Sequence, residues 1–238
     1  MFPTIGTSNQ SVREAWLSRT LGALPAGGRI LDAGAGEQAY KAFCPHLRYV
    51  AQDFGKYDGQ GDASGLQTKT WDQTSLDIVS DISAIPEPDG SFDAIMCIEV
   101  LEHLPRPLLA LREFSRLLRP GGDLVLTAPF CSLTHFSPYH FSSGYNRAFY
   151  ESALDDHGFE ILSIEPNGTF FEFLAQELRR VDSVASRYCG GRPGKLWTAL
   201  SLCALWMLER IARRDQGSSE LLCFGYHVLA RKKEEANG

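Results

Sequence analysis

Residues 29–43, RILDAGAGEQAYKAF, carry an apolar run into a glycine turn and out into a helix-like segment. Gly34, Gly36 and Ala39 match the G-x-G-x-x-G/A spacing that brings a backbone against a dinucleotide's pyrophosphate. Asp53 follows at roughly the 20-residue interval at which an acid takes a ribose hydroxyl. Taken alone, that spacing describes a nicotinamide dehydrogenase. Asp32 and Glu37 speak against it, because a pyrophosphate on this loop would lie against two carboxylates. A second set of reactive residues sits in APFCSLTHFSPYHFSSGYNR, which holds His135, Tyr139, His140 and Tyr145. Imidazoles titrate near neutrality and serve as general bases. His135 and His140 are therefore candidate bases, with His135 ahead because it comes sooner after an apolar run. Their structural alternative is a bond to a backbone carbonyl. No carboxylate lies between them to complete a hard-cation set, and no metal is expected. His103, in EVLEHL, is expected to cap or stack at the start of a helix, and Arg147 to pair with Glu151 one turn along its own.

The patterning around these residues alternates strand and helix. RILDAG reads as a buried strand and QAYKAF as the start of a helix. RYVAQDF and LDIVSDI read as the second and third strands. SFDAIMCIEVLEHL gives a fourth strand that turns into a helix running on through RPLLALREFSRLL; RPGG marks a turn, and DLVLTAPF a fifth strand. NRAFYESALDDHGF is a helix closed by Gly158, EILSIEPNG a strand, and LLCFGYHVLARK a last strand expected to pair antiparallel at an edge. Between the second and third strands, GKYDGQGDASGLQTKTWDQTS is polar and glycine-rich and reads as a long surface loop. This alternation predicts an α/β fold with a doubly wound, mostly parallel sheet. In such sheets ligands bind at the carboxyl ends of the strands. Asp32, Asp53, Asp81 and Glu99 each fall at or just after such an end, a row of acids that repels phosphates and suits a ligand carrying positive charge and hydroxyls.

The segments ILDAGAGEQAY, YVAQD, SDISAIP, FDAIMCIEVLEHL, LLRPGGDLVLTAP and GYHVLARK resemble, in their order, the class I S-adenosylmethionine-dependent methyltransferases, in the branch that includes quinone, glycan and small-molecule methyltransferases. The resemblance covers most of residues 10 to 165 and the last strand. It implies a seven-stranded Rossmann-like sheet with an antiparallel last strand and S-adenosylmethionine as methyl donor, leaving S-adenosylhomocysteine. By resemblance, Gly34 and Gly36 admit the cofactor's methionine moiety, Asp32 lies near it, and Ile98 and Glu99 line that end. Asp53 takes both ribose hydroxyls, Asp81 takes the adenine amine, and the Ile82 amide reaches a ring nitrogen. Gln38 stands where the family often has a small residue, so Gln38 and Tyr40 are expected to close over the cofactor. His135, His140, Tyr139 and Tyr145 would face the acceptor, a small molecule, glycan or lipid-linked group methylated at oxygen, with carbon or nitrogen as alternatives. A non-catalytic binding protein and a dehydrogenase are the readings from other classes, and the complete row of acids argues against both.

The 238 residues carry a net charge of −6 without a basic block, which argues against a nucleic-acid partner. Six scattered cysteines suit reduced, buried thiols, and the N-terminus lacks a signal-peptide pattern, so a cytoplasmic protein is expected. Two further helices interrupt the alternation. TFFEFLAQELRRVDSVASRY is amphipathic, whereas KLWTALSLCALWMLERIARR is apolar nearly all round over 196–208, between basic flanks. It is too short to span a bilayer. The division expected is a methyltransferase domain of residues 1–168 and 215–238 with a helical insertion at 169–214. That insertion is read as a buried or dimer-forming element, a lid, or an interfacial helix meeting membrane or a lipid-linked substrate.

Overall fold

The computed structural model describes residues 2–234. One compact unit comprises Ala15–Glu165 with the last strand, and a second comprises Pro166–Phe224 with the N-terminal residues up to Glu14. The chain order is α1 (Asn9–Gly22), β1 (Arg29–Ala33), β2 (Arg48–Asp53), β3 (Ile78–Val79), β4 (Phe92–Ile98), α2 (Pro107–Leu117), β5 (Leu118–Pro129), α3 (Arg147–Asp156), β6 (Phe159–Asn167), α4 (Phe170–Tyr188), α5 (Lys195–Ala212) and β7 (Gly225–Lys232). Single 3-10 turns occupy Lys41–Phe43, Leu101–His103 and Ser218–Glu220.

The seven strands form one sheet in the order β3-β2-β1-β4-β5-β7-β6. β1 pairs in parallel with both β2 and β4, so the chain winds outward from β1 in one direction and then reverses through β4. That reversal creates the crevice in which doubly wound sheets hold ligands. β1 and β4 are buried on both faces, which is why both read as continuous apolar runs.

Five sequence expectations need correction. The last strand is not at an edge: β7 runs antiparallel to β5 from Asp123↔Arg231 to Pro129↔Gly225, and β6 takes the edge beside it. QAYKAF forms only the 3-10 turn Lys41–Phe43, and the third strand shrinks to Ile78–Val79. RPGG lies inside β5, where the pairing jumps from Phe92↔Leu118 to Ala94↔Asp123, so it forms a bulge rather than a terminal turn. EVLEHL does not run on as a helix. It makes the turn Leu101–His103 and stops, and α2 starts afresh with Pro107 at its first position.

Trp16, Leu17 and Leu21 of α1 pack against Ile30, Met96, Ile98 and Val125 beneath the sheet. The Trp16 ring stacks on His227, centroids 5.0 Å apart, and its indole nitrogen donates to Glu165 at 3.2 Å. α2 buries Ala110, Leu111, Phe114 and Leu117, the i, i+1, i+4, i+7 stripe of a helix lying on a sheet. α3 is capped by Asn146, whose side chain accepts from the Phe149 amide at 3.0 Å.

In the second unit, α4 begins with Thr169 as cap and Glu172 three positions later, and α4 and α5 bury Ala175 and Leu205 against Ile5. Within the single chain α5 is not buried on the sheet. Leu205 is its one buried residue, while Leu196, Leu200, Trp206 and Met207 are each more than half exposed. Among the described residues, no helix is long and apolar enough to cross a membrane. The cysteines divide evenly: Cys44, Cys97 and Cys223 are buried, while Cys131, Cys189 and Cys203 are exposed.

Candidate active site

The acids expected at the strand ends lie where β1, β2 and β4 finish. Asp32, buried at the end of β1, accepts a hydrogen bond from the Tyr49 hydroxyl. Burial pushes its carboxyl up to about 7; the Tyr49 bond opposes this and the charge of Asp53 adds to it. Asp53, the last residue of β2, is 5% exposed. Its Oδ2 accepts from the Gly36 amide at 3.0 Å, and its Oδ1 from the Gly55 amide at 2.9 Å. The carboxylate thus clamps the glycine loop to the end of β2.

Both loop glycines are required by space as well as by backbone angle. Gly34, at φ +84°, would place a Cβ 2.6 Å from Val100, and Gly36, at φ +50°, would place one 2.8 Å from the Trp71 ring. Ile98 is buried at the end of β4. Glu99 beside it has a positive φ of 55°, its amide bonded to the Thr127 carbonyl and its Oε1 accepting from the Thr127 hydroxyl at 2.8 Å. Four non-glycine residues among those described take positive φ: Gln38, Ala63, Glu99 and Phe136. All belong to the loops and strand ends around this crevice, the distribution expected where backbone strain serves a site. Asp81 lies after β3 with its side chain turned onto Ser83, accepting from that amide at 2.8 Å and that hydroxyl at 2.7 Å. These bonds hold it below the usual carboxylate range. Ile82 next to it is buried.

Residues 54–77 are more than a surface loop. Tyr57 is 3% exposed, with its ring edge-on to Trp71 and stacked on Phe136, centroids 5.0 and 4.8 Å away. Trp71 lies on Gly36, the Asp72 amide donates to Glu37, and the Gln38 side chain donates to the Ser75 carbonyl at 2.8 Å. Leu66 bridges to His135, and the Ser137 hydroxyl donates to Asp62. The segment therefore joins the glycine loop to the histidine-bearing loop as an inner wall. Gln38 is spent on this wall, and Tyr40 stacks on Phe43 and packs toward the core beneath α1.

The structure brings His135 and His140 together, ring centroids 4.7 Å apart, and adds His103, 4.7 Å from His135. His135 donates from Nδ1 to the Leu133 carbonyl at 2.8 Å, and His103 from Nδ1 to the Tyr139 carbonyl at 2.6 Å. His140 Nε2 is 3.2 Å from the Ser132 hydroxyl. Burial, then the charge of His135, pulls His103 down to about 4, and the same two causes lower His140. Beneath the rings lies the Glu102 carboxylate, 1% exposed. Tyr139 packs its ring against Phe54 at 4.9 Å, and the Tyr145 hydroxyl donates to the Leu101 carbonyl. Arg147 pairs with Glu151 at 2.8 Å, away from the cluster.

Glu102 and His103 are the members that sequence reasoning missed. On a continuous helix, neighbouring residues diverge by about 100°. In the turn Leu101–His103 both side chains nevertheless reach the histidine loop. The adjacent acid and imidazole in EVLEHL were the available signal.

A family model described as a methyltransferase domain matches residues 9–164. A ubiquinone biosynthesis O-methyltransferase of Xanthomonas oryzae pv. oryzae is 35% identical over 105 residues, 43% of this chain and 43% of that protein. The match thus spans under half the length of such relatives. A putative sarcosine dimethylglycine methyltransferase from Galdieria sulphuraria superposes with a TM-score of 0.54 at 16% identity, over 95% of this chain and 88% of that one. A SAM-dependent methyltransferase from Archaeoglobus fulgidus gives 0.55 at 16% identity, over 93% and 94%. The fold and the row of acids at its strand ends thus meet a family match over well over half of the chain, and the protein belongs to the methyltransferase-domain family.

Proposed function

We propose that this protein moves a methyl group from S-adenosylmethionine to a hydroxyl oxygen of a small molecule. The bound cofactor supplies a methyl on a sulfonium, a good leaving group. The observation that carries the reading is the buried Asp53 carboxylate, clamped by the Gly36 and Gly55 amides at the end of β2. Two backbone donors fix its orientation, and carboxylate oxygens keep further lone pairs for a pair of ribose hydroxyls. The fit extends along the crevice. Gly34 and Gly36 leave room that a Cβ would fill, Asp32 and Glu99 offer negative charge to the methionine end, and Asp81 with Ile82 flanks the adenine end. Ile98 lines the floor, while Gln38 and Tyr40 shape the loop.

At the acceptor end stand His135, His140, Tyr139 and Tyr145. Alignment of an acceptor at near-attack distance is the main task, contributing about 7–11 kcal/mol in favourable cases. His140 is held neutral near pH 7 by burial and by His135, which suits it to take the acceptor's proton. Oxygen as the acceptor atom is further supported by the ubiquinone O-methyltransferase relatives.

Thermal unfolding alone, with S-adenosylhomocysteine and with NAD tests the cofactor assignment. A ligand at about 100 times its Kd adds about 2.7 kcal/mol, a rise of roughly 5–10 °C in Tm for a chain this size. The rise is expected with S-adenosylhomocysteine alone. A rise with NAD only would refute the assignment.

The exposed face of α5 favours a lipid-linked acceptor. Leu196, Leu200, Trp206 and Met207 stand out from a helix flanked by Lys195, Arg210, Arg213 and Arg214, the arrangement of an interfacial helix on anionic lipid. The protein is then expected to co-sediment with anionic vesicles and to lose this on Trp206→Ser with Met207→Ser. Equal sedimentation of that variant would reject the lipid contact.

A further inference from the structure

The Glu102 carboxylate and two imidazole nitrogens converge on one point. Glu102 Oε1 lies 3.8 Å from His103 Nε2 and 3.9 Å from His135 Nε2. One ligand atom from each of the three residues falls within 4.8 Å of the others. Ligands of one tetrahedral ion at about 2.0–2.1 Å sit roughly 3.4 Å apart, so shifts of under about 1 Å would close the set.

The tautomers decide what this convergence means. Each ring donates its Nδ1 hydrogen to a backbone carbonyl, Tyr139 for His103 and Leu133 for His135. In the neutral imidazole the other nitrogen then carries a lone pair. Both Nε2 lone pairs face the carboxylate, so two imidazole nitrogens and one carboxylate oxygen converge on one point. His103 Nε2 is buried and has no hydrogen-bond partner. Such an arrangement is repulsive by itself and becomes favourable around a cation. A carbonyl on the far nitrogen is also the usual outer support of a metal-bound histidine, fixing both tautomer and ring angle. The backbone is braced for this: the Glu102 carbonyl accepts from the Phe141 and Ser142 amides, tying the turn of Glu102 and His103 to the loop that carries His135.

We infer that Glu102, His103 and His135 form a binding site for one divalent transition-metal ion of the zinc or cobalt type. Two imidazoles and one carboxylate suit such borderline ions, whereas magnesium and calcium prefer oxygen throughout. Three protein ligands leave a position for water or a substrate oxygen, as in zinc sites that do chemistry. The site is independent of which atom accepts the methyl group, and its occupancy is read without turnover.

The test uses the full chain, stripped of metal by a chelator and titrated with Co(II), then with Zn(II) in competition. One equivalent of Co(II) is expected to give visible d–d bands of a low-coordinate nitrogen–oxygen site, abolished by one equivalent of Zn(II). His135→Ala, at a partly buried position, should weaken binding at least 10–100-fold, about the loss that removing even an outer partner causes. Should that variant unfold by circular dichroism, His103→Gln takes its place. No d–d band, strong thiolate charge-transfer bands placing the ion at cysteine, or unchanged affinity in a folded variant would each overturn the inference. A separate response to S-adenosylhomocysteine in the same samples keeps failure of this site distinct from failure of the cofactor assignment.

Discussion

Asp53→Ala is expected to abolish the thermal response to S-adenosylhomocysteine and to lower the stability of the ligand-free protein as well. The two effects have different origins. The carboxylate accepts from the Gly36 and Gly55 amides at 3.0 and 2.9 Å in a site 5% exposed. Removing it strands both donors, at about 1–3 kcal/mol each. For a chain of this size that is roughly 4–24 °C in Tm. Loss of two charge-assisted bonds to the ribose, about 1.5–3 kcal/mol each, weakens the cofactor by about 100-fold or more. Asp53→Asn separates the two effects. It keeps one acceptor oxygen, so it should recover part of the stability while binding the cofactor poorly, as measured by calorimetry. A variant with wild-type affinity would move the ribose site away from β2.

The second large effect is a dependence on pH set by Asp32. Its carboxyl is raised to about 7 by burial, so the folded protein holds a proton that the unfolded chain has released. Between about pH 4 and pH 7 the native state binds more protons, and stability falls as pH rises through that window. At about 1.4 kcal/mol per pKa unit the whole excursion is about 4 kcal/mol. Asp32→Asn keeps an acceptor for the Tyr49 hydroxyl and cannot ionise, so its urea midpoint should lack this part of the slope. Cofactor binding should run the other way. The positive charges of the methionine moiety favour the ionised carboxylate, and affinity should strengthen as pH rises through 7 in the wild type more than in the variant. Parallel pH curves for the two proteins would show that Asp32 stays ionised throughout.

The glycine turn and the acid closing β2 were legible because they are written in local chemistry. β1, its glycine turn and Asp53 lie within one strand–turn–strand unit, and steric limits on Gly34 and Gly36 act over a few residues. The histidine cluster was legible only in part. His135 and His140 stood out by type, but their partners did not, because Glu102 reaches them through a 3-10 turn that helical periodicity concealed. Tyr57 and Trp71 were hidden for another reason. They are sparse aromatics in a polar, glycine-rich stretch, and its composition reports solvent while their rings pack on Phe136 and Gly36.

By itself the sequence determined the succession of strands and helices along the chain up to β5, the family and the row of acids, since each depends on periodicity, turn chemistry and residues close along the chain. Tertiary structure alone decided that β7 inserts between β5 and β6, that α5 keeps its apolar face outside, and that a glutamate and two imidazoles meet at one point. These are pairings between residues far apart in the chain. Which surface buries which is settled there by the competition of all contacts at once, and no local pattern records it.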